Sequence, residues 1–98
     1  GNGATSVDPV GITAAKINLT GDATLNMAAG GYDTQRLTLE VTQDASGNHT
    51  VTLGTGFVWG ADVTSYSVTA TPNKTDYIGL IYSSSAAAWR VIAIAKGY

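Results

Sequence analysis

From Gln35 to Gln43 the chain changes character at every residue, with Leu37, Leu39 and Val41 alternating with Arg36, Thr38, Glu40 and Thr42. A period of two sustained this long does not fit a helix. It describes an extended strand with one face against a core and the other in solvent. The same alternation returns in Lys16-Ile17-Asn18-Leu19-Thr20, in Thr24-Leu25-Asn26-Met27, in His49 to Leu53, in Tyr66 to Ala70, in Thr75 to Ser83 and in Trp89 to Lys96. Between these runs stand turn-forming groups: Gly21-Asp22, the loop Ala28-Ala29-Gly30-Gly31-Tyr32-Asp33, Asp44-Ala45-Ser46-Gly47-Asn48, Thr71-Pro72-Asn73-Lys74 and Ser84 to Ala87. The Asp44–Asn48 group reads as a hairpin connection between its flanking strands.

The fold class that follows is all-β: an antiparallel, jelly-roll-like β-sandwich of about seven to eight short strands. Residues 14–98 form this domain. Residues 1–13 have no period, include the turn-prone pair Asp8-Pro9, and are expected to be an N-terminal arm or linker. The opening at Gly1 rather than Met fits an excised fragment or a processed product.

A chain of 98 residues without cysteine has no disulfide, no thiolate nucleophile and no cysteine zinc site to support its core. Packing or partner chains must do that work. Two late strands suggest partners, because their second face is also apolar: Tyr77 and Ile81 in one, Ile92 and Ile94 in the other. A single domain this small has no further layer to cover them, so these four residues are the expected oligomer interface.

Charged residues make up 12% of the chain, its net charge is −2, and no basic block occurs. A phosphate-neutralising surface is therefore excluded, and no nucleic-acid partner is expected. No apolar run reaches the roughly 18–20 residues of a membrane-spanning helix, so membrane insertion is not expected.

The polar constellations each have a plain structural explanation. His49, the single histidine, follows the Ser46-Gly47-Asn48 turn, with no spacing that pairs it to a nucleophile. Gly54-Thr55-Gly56-Phe57-Val58-Trp59-Gly60 misses the dinucleotide-binding glycine spacing by one residue and precedes no helix. Asp44 to Asn48 imitates half a calcium loop, but Thr55 stands where the closing acid is needed. The remaining acids read mostly as turn residues, and none is placed in a pair. Three N-X-T sequons match no more often than so much threonine allows. No catalytic, cofactor-binding or metal-binding residue is assigned, no cofactor is expected, and the chain reads as non-enzymatic.

The aromatic residues are the remaining candidates. Tyr32, Trp59 with Asp62, and Tyr66 lie in or beside loops, where a β scaffold presents ligands. They form the candidate receptor-binding set, and Trp89 is expected in the core.

Taken in order, Leu19-Thr20-Gly21-Asp22-Ala23-Thr24-Leu25, Leu39-Glu40-Val41-Thr42-Gln43-Asp44, Thr52-Leu53-Gly54-Thr55-Gly56-Phe57, Thr75-Asp76-Tyr77-Ile78, the Tyr82–Trp89 turn and the closing Lys96-Gly97-Tyr98 form a series. This series resembles the small C-terminal β-sandwich modules of tailed-bacteriophage tail fibres, tailspikes and related virion proteins. Gly60-Ala61-Asp62-Val63 departs from it by lacking a proline common in that loop. The resemblance implies a homotrimeric, non-enzymatic module on the phage particle surface that mediates host attachment or completes fibre-tip assembly. Its partners would be other virion proteins and a host surface glycan or protein. Two alternatives share the same features: a capsid (head) decoration protein binding neighbouring capsid subunits, and a carbohydrate-binding module of a polysaccharide-degrading protein.

Overall fold

The computed structural model describes residues 3–7, 14–27 and 31–98, and the described residues form strands and turns with no helix. The Asp8-Pro9 pair and residues Ala28 to Gly30 of the glycine loop lie outside them. The described residues contain eight strands: β1 (Gly3–Val7), β2 (Ala14–Leu19), β3 (Ala23–Met27), β4 (Arg36–Gln43), β5 (Val51–Leu53), β6 (Phe57–Val58), β7 (Thr75–Ser83) and β8 (Ala88–Ala95). They form a three-stranded sheet in the order β1-β3-β5 and a five-stranded sheet in the order β2-β4-β7-β8-β6.

The pairing departs from the antiparallel arrangement expected. Only β4–β7 and β7–β8 are antiparallel; β1–β3, β3–β5, β2–β4 and β6–β8 are parallel. The reason lies in the turns. From β1 to β6 the chain changes sheet at every connection, so each parallel pair joins strands two places apart in sequence. Successive reversals then leave neighbours pointing the same way. Alternating hydrophobicity is the same in either arrangement, because it reports which face is buried and not which strand lies alongside.

Asp44 to Asn48 is accordingly a crossover between sheets and not a hairpin. The Asp44 carboxylate accepts the backbone N–H groups of Ser46 and Gly47 at 3.0 and 3.1 Å and contacts His49 Nε2 at 2.9 Å. Gly47 holds φ 67°, and a Cβ there would lie 2.7 Å from the Ala70 carbonyl oxygen, so the bend needs glycine. Past the bend, Thr50 N–H donates to Asp22 Oδ1 at 2.9 Å, which continues the β3–β5 ladder with a side chain. Asn26 Oδ1 does the same for Thr55 N–H at 2.8 Å.

One core joins the two sheets. Leu25, Met27 and Val51 of the smaller sheet cluster with Leu19, Leu37, Leu39, Val41, Ile78, Leu80, Trp89 and Val91 of the larger. Trp89 is 1% exposed, as its place in the alternation anticipates. Buried Gln43 binds the crossover to the next loop: its amide donates to the carbonyls of His49 and Thr69 at 2.8 and 2.9 Å and accepts His49 N–H at 3.2 Å.

The strand expected at Tyr66 to Ala70 does not form. Its backbone groups meet side chains, and at Ala70 the Asn48 N–H at 2.7 Å, instead of a ladder. Thr69 N–H donates to Asp76, the Thr69 carbonyl accepts Gln43, and the Ser67 carbonyl accepts Lys96 Nζ at 2.8 Å. In β8 a register shift interrupts the alternation: Gly79 pairs with Ala93 but Leu80 with Val91, leaving Ile92 extra. Trp89 and Val91 are buried before this bulge, and Ile94 turns inward against the core after it.

Candidate functional site

The long connection from β6 to β7 runs beside β8 and is held at both ends of its irregular part. Near its start, Gly60 N–H donates to the Val63 carbonyl at 3.1 Å, forming a tight turn that carries Asp62. Near its end the anchor is Asp76. Its carboxylate, 1% exposed, accepts the Tyr66 hydroxyl and Thr69 N–H at 2.8 Å, the Thr69 hydroxyl at 2.7 Å and Gly97 N–H at 3.0 Å. Asp76, inside the strand expected from Thr75 to Ser83 and in phase with Ile78 and Leu80, faces inward in β7.

Burial of Asp76 pushes its pKa up, but the Thr69, Tyr66 and Gly97 hydrogen bonds more than reverse this and hold it below the ordinary carboxylate value. Tyr66 responds in the opposite direction. Burial, the hydrogen bond to Asp76 and the carboxylate's charge all raise its phenol pKa, so it stays protonated as a donor.

Two depressions are lined in part by β8 and the residue after it. The first, of about 360 Å³, is lined by Val58, Trp59, Gly60, Arg90, Val91 and Ile92. The second, of about 290 Å³, is lined by residues 62–67 together with Ile94 and Lys96. Trp59 is half-buried: part of it packs against the core and part lines the first depression. Asp62 and Tyr66 meet in the second, with the Tyr66 hydroxyl already committed to Asp76.

Tyr32 stands apart. It is 68% exposed and lines neither depression; its backbone is held by Gln35, through Tyr32 N–H to Gln35 Oε1 at 3.2 Å. The four residues expected at an interface are also divided. Tyr77, 36% exposed, packs edge-on against Tyr98 at 5.5 Å and reaches Glu40. Ile81 is half-buried between the register positions of Arg36 and Arg90. Ile92 is 49% exposed and lines the first depression, while Ile94 packs inward.

Arg90 and Lys96 escaped the sequence reading although both line the depressions. The available signal was an outward charged position directly after buried Trp89, in a strand whose other outward residues are apolar or small. Gly56 needs no ligand to explain it: at φ 89° its missing Cβ leaves room for Met27 Cβ, which a side chain would approach to 2.7 Å. His49 and Asp44 brace the crossover. Among the described residues no group of three or more His, Asp or Glu side chains is placed to hold a metal ion.

A family model described as "Putative phage tail fibre C-terminal domain" matches residues 7–86. No curated protein matches the chain, and no solved structure does.

Proposed function

Because the chain belongs to the phage tail fibre C-terminal domain family, and so to a virion structural component, we propose that it is a non-enzymatic module that contacts the host surface. The observation that carries this reading is the pair of depressions along β8, one lined by Trp59 and the other by Asp62 and Tyr66, all from one anchored loop. A ligand site on a β scaffold is expected where a loop is held rigid over a strand edge. Tyr32 is not part of that surface and is withdrawn from the contact set.

The module acts as a homotrimer at the particle surface, with copies meeting through the outer face of the five-stranded sheet at Tyr77; Ile81, flanked by Arg36 and Arg90, is withdrawn from the contact, because copies meeting there would bring like charges together. Ile92 sits at the rim of both surfaces, and inward-facing Ile94 is withdrawn from the interface set. Three copies turn weak single-site binding into useful avidity when the host surface presents repeated ligands.

The test is adsorption of the labelled module to host cells. Trp59→Ala is expected to weaken binding at least about tenfold, the loss of one well-packed aromatic contact, while circular dichroism still reports a folded β protein. Tyr32→Ala is expected to leave binding unchanged. A folded Trp59→Ala variant that binds like the parent overturns the reading.

A further inference from the structure

Charge is unevenly placed on the five-stranded sheet. Lys16, Arg36 and Arg90 stand at exposed positions on its outer face, against Glu40, in a chain of net charge −2. Arg36 and Arg90 flank Ile81 in one register row, about 10 Å apart at ordinary strand spacing. Among the described residues neither guanidinium has a hydrogen-bonding or ion-pair partner. The Asp33 carboxyl is held below its ordinary value chiefly by its hydrogen bonds to Ser84, against a smaller opposing effect of burial, and the Arg90 charge is the least of its influences.

Arg90 therefore brings an uncommitted cation to the first depression, whose other walls are the Trp59 indole and the aliphatic Val58 and Ile92. At about 360 Å³ this space lies near the small end of ligand clefts, and it suits a ring with one substituent better than a folded partner. A neutral ligand would leave the guanidinium without a partner, and a small anion without a ring would leave the indole uncovered.

We infer that this depression binds a saccharide bearing an anionic substituent, a carboxylate or a phosphate, with the sugar's C–H face on Trp59 and Ile92 and the anion on Arg90. Arg36, one strand beyond Ile81, adds to the attractive field. The second depression, with Asp62 as a hydroxyl acceptor, takes the neighbouring sugar. The inference rests on the attachment reading and names its ligand class.

The chain contains two tryptophans, and buried Trp89 serves as the internal reference for Trp59. Indole N–H signals of both are followed by NMR while the protein is titrated with methyl glucuronide, glucose 6-phosphate or methyl glucoside. The acidic sugars are expected to shift Trp59 and not Trp89, with the neutral glucoside at least about tenfold weaker, as one charge-assisted contact implies. Whichever acidic sugar binds more tightly identifies the substituent. Arg90→Gln is expected to abolish the acidic preference, and Arg36→Gln to reduce it by about twofold.

Equal binding of all three sugars, no Trp59 response to any of them, an equal response to a Glu-rich peptide, or a preference that survives Arg90→Gln would each overturn the inference. Adsorption that depends on Trp59 without an acidic preference leaves the attachment reading standing and removes only the ligand class. Acidic binding at Trp59 with adsorption unaffected by Trp59→Ala does the reverse.

Discussion

Thr34 holds φ at 67°, a conformation that a β-branched side chain adopts only when its surroundings impose it. Its N–H donates to the Tyr82 carbonyl at 2.9 Å, and its neighbour Asp33 accepts Ser84 N–H at 2.9 Å, so the loop is pinned to the β7–β8 turn on both sides. Thr34→Asn, which tolerates this backbone, is expected to stabilise the fold by about 1 kcal/mol, seen as a higher urea midpoint at unchanged slope. Asp76 works in the opposite sense. Its pKa is lowered in the folded state, so the stabilisation it provides is complete above the unfolded value of about 3.9 and is lost as pH falls through the lower folded value. Unfolding at a series of pH values should show stability falling below about pH 4, and Asp76→Asn should flatten that fall while costing about 2 kcal/mol or more at neutral pH. The alternation set Asp76 in phase with Ile78 and Leu80, but nothing in the sequence named the groups that let an acid be buried there. Those groups, Tyr66, Thr69 and Gly97, are loop-borne or distant in the chain, and only the fold brings them around the carboxylate.

At the scale of elements, strand positions were largely legible and strand partners were not. The alternation located β4, β7 and β8 almost residue for residue, because each buries one face and period two is the direct trace of that. Asp44 to Asn48 has the composition of a hairpin turn. Whether such a turn folds back within its sheet or passes to the other depends on contacts far away, here Asp22 with Thr50 and Gln43 with Thr69. The β8 bulge was hidden for a related reason: one extra residue reverses the alternation without changing composition. It makes Ile92 and Ile94 unequal. Ile94→Asp is expected to destabilise the fold by about 2–4 kcal/mol and Ile92→Asp by less than about 1, read from urea unfolding. Equal costs would mean that the bulge is misplaced. Of the candidate site, Trp59 and Asp62 were legible as aromatic and acidic residues in or beside loops, whereas Tyr66 was read at the start of a strand that does not form. Arg90 and Lys96 were not, because only the fold sets β8 beside that loop.

For the whole molecule, assembly is the first property to measure. Light scattering of the chain over a concentration series is expected to give three times the 10.0 kDa chain mass, and Tyr77→Asp to reduce it to a monomer. A wild-type monomer at every concentration would remove the trimer and leave the β8 surface to act singly. The changes of sheet along the chain have a further consequence, for how the protein is made. Among the described residues no strand from β1 to β6 pairs with its immediate successor, and in this segment the β7–β8 hairpin follows all of them. While the segment leaves the ribosome, its strands therefore have no local pairing on which to build until β7 and β8 have emerged. Until then its earlier strands wait with open edges, exposed to their neighbours on the same messenger. Synthesis rate and chaperone supply, more than the stability of the finished fold, should decide how much of this protein reaches its native state.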